Sequence, residues 1–105
     1  MKMSIPARTV QKSVRVKVEA FGHLNQLTGK KEFEVELTTP TVEGLVESLS
    51  NTYGEDFKRA IVETSSGEFT VLILVNGKDI DFLQKSKTPL SNDDKISLVP
   101  LVAGG

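Results

Sequence analysis

The stretch TVEGLVESLSNTYG, Thr41 to Gly54, decides the fold class. Its apolar residues Val42, Leu45, Val46, Leu49 and Tyr53 recur at i, i+3, i+4, i+7 and i+11, one face of a helix of about three turns. Thr41 is a suitable N-cap, and Pro40 discourages helix at Thr39. Gly54 stands where a left-handed C-terminal cap is expected. Gly44, inside the helix, costs about 1 kcal/mol relative to alanine, which makes the first turn the weakest part of the pattern.

Outward from this helix the period changes to two. In VRVKVEAF, Val14, Val16, Val18 and Ala20 alternate with Arg15, Lys17, Glu19 and Phe21, the pattern of a half-buried strand. GHLNQLTGK reads as a loop. KEFEVEL then alternates Phe33, Val35 and Leu37 with Glu32, Glu34 and Glu36, so the two strands form an antiparallel hairpin. After the helix, EDFKRAIV adds a short helical turn with Phe57, Ala60 and Ile61 on its buried side. Phe69 to Val75 is apolar on both faces, the mark of a central strand, and Asn76-Gly77 closes it with a turn. SNDDKISLVPLVAGG supplies a polar turn and a last strand, with Ile96 and Leu98 on one face and Lys95, Ser97 and Val99 on the other.

The order strand, strand, helix, strand, strand gives an α+β domain. A mixed four- to five-stranded sheet packs on one main helix, which suits the ubiquitin-like, or β-grasp, roll. Residues 1–13 read as a flexible leader and residues 14–105 as the domain with its tail. If Val71, Ile73 and Val75 meet the helix, Leu72 and Leu74 look the other way. Joined by Phe21 and Val99, they form either a partner interface or ordinary core under EDFKRAIV or the leader.

Composition narrows the function. Thirteen basic and fourteen acidic residues leave a net charge of −1, with no basic excess to favour nucleic acid. No apolar run approaches a membrane span, and the N-terminus has no apolar signal core. The absence of cysteine removes disulfides, thiolate metal sites and cysteine nucleophiles, and is compatible with a cytoplasmic setting. Candidate chemistry within the domain is thin. His23 reads as a solvated loop residue. TGKK at Thr28 to Lys31 fails as a phosphate loop, because Leu24 stands at the first glycine and Lys31 at the hydroxyl. Asp79 with Asp81, and Asp93 with Asp94, read as turn residues rather than metal ligands. The row Glu32, Glu34, Glu36 reads as a solvated strand face that discourages edge pairing.

The C-terminal stretch Pro100, Leu101, Val102, Ala103, Gly104 and Gly105 is left. Two terminal glycines make a thin ribbon that can enter a channel closed to any side chain. A carboxylate is a poor electrophile, but ATP converts it to an acyl adenylate. Sulfide or an amine can then displace AMP to give a thiocarboxylate or an amide. Gly105, with Gly104, is the expected site of that activation.

Across NGKDI, TPLSNDDKISLVPLVAGG and the Thr41-Val42 helix start, the chain resembles the MoaD/ThiS family of sulfur carriers. The resemblance implies a non-catalytic carrier with no bound cofactor or metal. Its Gly105 would be adenylated, at the expense of ATP, by an enzyme related to ubiquitin-activating enzymes, and then become a thiocarboxylate. In the MoaD branch the carrier docks on the large subunit of molybdopterin synthase. In other branches the same tail serves tRNA thiolation or is joined to lysines of target proteins. Leu101 stands where the molybdopterin branch often has a second proline, and the leader is longer than a minimal carrier needs, so the branch stays open. An interaction module of this fold with an incidental tail is the remaining reading.

Overall fold

The computed structural model describes residues 13–63 and 65–101. The leader, apart from Ser13, and the tail from Val102 to Gly105 lie outside the described residues. The elements are β1 (Val14–Ala20), α1 (His23–Thr28), β2 (Glu32–Leu37), α2 (Val42–Tyr53), α3 (Glu55–Ile61), β3 (Val71–Val75), β4 (Lys78–Asp79) and β5 (Lys95–Pro100). Short 3-10 turns at Ile80–Phe82 and Lys85–Lys87 join β4 to the last strand.

The strands form one mixed sheet in the order β2-β1-β5-β3-β4. β1 runs antiparallel to β2, with Val16 opposite Val35 and Val18 opposite Phe33. It runs parallel to β5, with Val18 beside Ile96 and Ala20 beside Leu98. β3 is antiparallel to β5 and sets Ile73 against Leu98 and Val75 against Ile96. These registers put every inward residue of the alternating runs on one face of the sheet. Val16, Val18, Ala20, Val71, Ile73, Val75, Ile96 and Leu98 are all buried there.

The helix α2 covers this face as its period requires. Val42, Leu45, Val46 and Leu49 are buried, while Tyr53 is half-buried. Thr41 caps it, its hydroxyl accepting from the N–H of Gly44 at 3.0 Å. Gly44 is buried, and a Cβ there would lie 2.1 Å from the carbonyl oxygen of Thr39. The helix start and the preceding loop approach too closely for any side chain, which offsets the poor helix propensity of glycine.

Four features differ from the sequence reading. GHLNQLTGK is not wholly loop: His23–Thr28 form the short helix α1, because Leu24 and Thr28, one turn apart, both bury. Within EDFKRAIV, Glu55–Ile61 form a seven-residue helix rather than a single turn, with Phe57 and Ile61 buried and Ala60 only partly so. Gly54 is not a left-handed cap. Its φ of 93° with ψ of −174° is an extended conformation open in practice only to glycine. It ends α2 through its N–H, bound to the Ser50 carbonyl at 2.8 Å. Its own carbonyl accepts from Lys58 at 3.1 Å and begins α3, so one residue serves both helices. The short β4, after Asn76-Gly77, was also not separated from its turn in the sequence.

The helix α3 lies on the same side of the sheet as α2, and Phe57 and Ile61 belong to the single buried cluster. Tyr53 links the layers, with its ring centroid 5.7 Å from that of Phe33 and 5.6 Å from that of Phe57. Removing a buried ring such as Phe57 costs about 3–5 kcal/mol.

The contact at Gly44 gives a test. Gly44→Ala improves helix propensity by about 1 kcal/mol but overpacks against backbone, a cost of about 1–3 kcal/mol. Thermal melting of this variant is expected to fall by several degrees. A rise in melting temperature would show that the Thr39 loop yields freely.

Candidate functional site

The last strand holds the centre of the sheet, between β1 and β3. Its start is fixed by the polar turn SNDD. Asp94 Oδ1 accepts from Asn76 Nδ2 at 2.9 Å, and its Oδ2 accepts from the N–H of Ser91 at 2.8 Å. Asn76 Oδ1 accepts from the N–H of Lys95 at 2.9 Å, and Asn92 Oδ1 from that of Arg15 at 2.9 Å. Asn76 and Asp93 have φ of 53° and 70°, a region that Asn and Asp tolerate better than most residues. One cluster of side chains thus ties the end of β3, the start of β1 and the start of β5 together. Asp79 likewise serves its own turn, accepting from the N–H of Asp81 at 2.9 Å. His23 is exposed at the first residue of α1.

The far end of β5 is held by backbone and by packing. Phe21 donates its N–H to the Leu98 carbonyl at 3.1 Å. A Cβ on Gly22 would meet Pro100 Cγ at 3.1 Å, so the proline ring rests against the turn that follows β1. Beyond it Leu101 is 59% exposed. The sequence-predicted positions Pro100 and Leu101 therefore lie where the chain leaves the centre of the body. Val102, Ala103, Gly104 and Gly105 lie outside the described residues.

The face of the sheet away from the helices divides into two. Over β1 and β2 it is charged: Arg15 lies 4.0 Å from Glu36, and Lys95 Nζ lies 3.4 Å from Glu19 Oε2. The Arg15–Glu36 pair is largely solvated and contributes little stability, whereas Glu19 is only 20% exposed. Toward the exit of the tail it becomes apolar. Leu72 pairs with Val99 across the β3–β5 ladder, and Leu74 follows on the same face beside Ser97. Phe21 continues β1 beside them. Phe21, Leu72, Leu74 and Val99 are all half-buried. The structure thus brings together the four residues expected there. Cover by EDFKRAIV is corrected, because α3 packs against α1 and α2 on the opposite face; the leader, the other cover considered, lies outside the described residues apart from Ser13.

Phe82 was not singled out by the sequence reading, yet it is 85% exposed in the turn after β4. DFLQ has neither helical nor strand periodicity, so no pattern marked this ring as outward. Among the described residues, no group of three or more His, Asp or Glu side chains gathers as metal ligands. Within the same residues no helix is long and apolar enough to cross a membrane.

Comparison with known proteins places this geometry. The model of the ThiS family matches residues 18–105. A protein of Archaeoglobus fulgidus named as a proposed sulfur carrier is 28% identical over 90 residues, covering 86% of this chain and 98% of that protein. The solution structure of small archaeal modifier protein 1 from Methanosarcina acetivorans superposes with a TM-score of 0.76 at 28% identity. That alignment covers 90% of this chain and 99% of the other. A Pyrococcus furiosus protein proposed as subunit 1 of molybdopterin converting factor gives a TM-score of 0.66 at 29% identity, over 85% of this chain and 99% of that one.

The apolar corner yields a clear experiment with Leu74→Glu. Leu74 is half-buried rather than enclosed, so a charge there can reach water, and melting is expected to change by only a few degrees. An unpaired charge in a closed core would cost several kcal/mol and unfold the domain. Collapse of the melting temperature would place Leu74 in the core.

Proposed function

Because the chain belongs to the ThiS family, whose relatives are small sulfur carriers and ubiquitin-like modifiers, we propose that it is a non-catalytic sulfur carrier working through Gly105. The observation that carries this reading is the exit of the chain from the central strand. β5 is paired on both sides and anchored at both ends, so a partner that grips the body also fixes the origin of the tail. Four residues follow Leu101. Extended at about 3.3 Å each, they reach roughly 13 Å into a partner's active site.

The chemistry is that of a carboxylate made electrophilic. The Gly105 carboxylate attacks the α-phosphorus of ATP, pyrophosphate leaves, and an acyl adenylate results. Sulfide attacks the carbonyl carbon, AMP leaves, and a thiocarboxylate remains. ATP is bound by the activating enzyme and not by this chain. That enzyme is of the ubiquitin-activating type, and the apolar corner of Phe21, Leu72, Leu74 and Val99 is the surface it grips.

Within the family the reading extends to a small subunit of molybdopterin synthase, docking on the large subunit and donating sulfur for molybdenum cofactor synthesis. Support comes from the likeness to the P. furiosus protein. The second reading, in which a lysine amine displaces AMP and joins the tail to a target protein, draws on the likeness to small archaeal modifier protein 1. A role in tRNA thiolation would use the same tail.

Intact mass of the protein purified from its native host tests the proposal. A fraction heavier by the difference between sulfur and oxygen, about 16 Da, is expected on Gly105. Deleting Gly105 is expected to abolish ATP-dependent adenylation with melting unchanged, because the terminal residues of a domain seldom carry its stability. Full adenylation of the deletion variant would overturn the assignment. Gly-Gly remnants on lysines of other proteins would move the function to the modifier branch.

A further inference from the structure

The sheet is unfinished on its β3 side. β4 spans only two residues and pairs only with Leu74 and Val75. The chain then turns away at Ile80–Phe82, and the Ile80 carbonyl accepts from the N–H of Leu83 at 2.9 Å rather than continuing the ladder. Val71 to Ile73 are thus paired with β5 on one side and with no strand of the described residues on the other.

The polarity of this edge follows from two hydrogen bonds. Lys95 accepts from the N–H of Asn76 and so turns its carbonyl toward β3, whereas Leu98 accepts from Phe21 and turns toward β1. By strand alternation Ser97 and Val99 face β3, where they meet Leu74 and Leu72. The backbone groups of Val71 and Ile73 therefore point outward, away from β5.

A groove of about 550 Å³ runs along this edge. Phe69, Leu72 and Leu101 are among its apolar lining, and its charged lining is Glu68, Asp79 and Asp81 with one ammonium, Lys85. Outward backbone groups, apolar walls and an excess of carboxylates are the complement of an extended peptide with a positive charge. A second copy of this chain is a poor occupant, because its own groove would bring like charges together. Leu101, the root of the tail, lines the groove, so whatever holds the tail has its surface here. We infer that the edge Val71–Ile73 receives, as an added strand, an extended basic segment of the enzyme that activates the tail. This inference rests on the proposed activation of Gly105.

The test uses the full chain and its adenylating enzyme from the same host. Amide hydrogen exchange at Val71 and Ile73 is expected to be faster than at Leu72 and Leu74 in the free protein. In the complex it should slow at least about tenfold, as an added ladder protects outward amides. Glu68→Lys combined with Asp81→Lys changes two exposed side chains. It is expected to raise the KM for the carrier by about tenfold at low salt, with kcat and melting unchanged. If the native chain is adenylated while Val71 and Ile73 exchange as in the free protein, the added strand is wrong and the activation reading stands. An unaltered KM in the double variant likewise defeats the basic character of the segment. If the native chain is not adenylated at all, the activation reading falls and this inference with it.

Discussion

The parallel pairing of β1 with β5 is the constraint on which the rest of the molecule depends. It brings the last described strand into the middle of the sheet, so that Ile96 and Leu98 meet Val18 and Ala20 on one side and Val75 and Ile73 on the other. Without it the β1–β2 hairpin and the β3–β4 hairpin would be separate ribbons, each too small to be stable alone. With it, one helix face has a continuous apolar floor to cover. The polar cluster of Asn76, Asn92 and Asp94 fixes the same pairing from its outer end.

Much of this was legible because periodicity reports burial directly. The alternation in VRVKVEAF and KEFEVEL and the helical spacing from Val42 to Tyr53 each became the element expected, with the expected face inward. Thr41 was readable as a cap because its hydroxyl acts locally. Strand order was less accessible, since it depends on partners far apart in the chain. The helix α1 escaped because six residues hold too few apolar positions to display a period. Gly54 was recognised as special but given the wrong conformation: the sequence cannot tell a glycine that merely ends a helix from one that also begins the next.

The site divides differently. The chemistry proposed for Gly105 rests on the nature of a glycine carboxylate, and Gly105 lies outside the described residues. The apolar corner was read from Leu72 and Leu74, which alternate with residues bound to face the helix. The reading of Phe69 to Val75 as a central strand is corrected at the edge of β3: β5 holds the centre, and β3 is Val71–Val75 beside the two-residue β4. The exposure of that edge follows from β4 being only two residues long, and strand length at a turn is set by where side chains such as Asp79 redirect the backbone. Corner and edge both border the point where the chain leaves β5.

The same central strand also governs how the chain folds. Lys17 and Lys95, neighbours in the parallel ladder, are 78 positions apart in the chain. Local hairpins and α2 can form early, but the core is closed only when this long loop is closed, which slows folding relative to a helical domain of equal size. Until then β1 presents an unpaired apolar edge. Its flanking charges, Arg15, Lys17 and Glu19, then act as gatekeepers that keep the waiting hairpin from pairing with other chains.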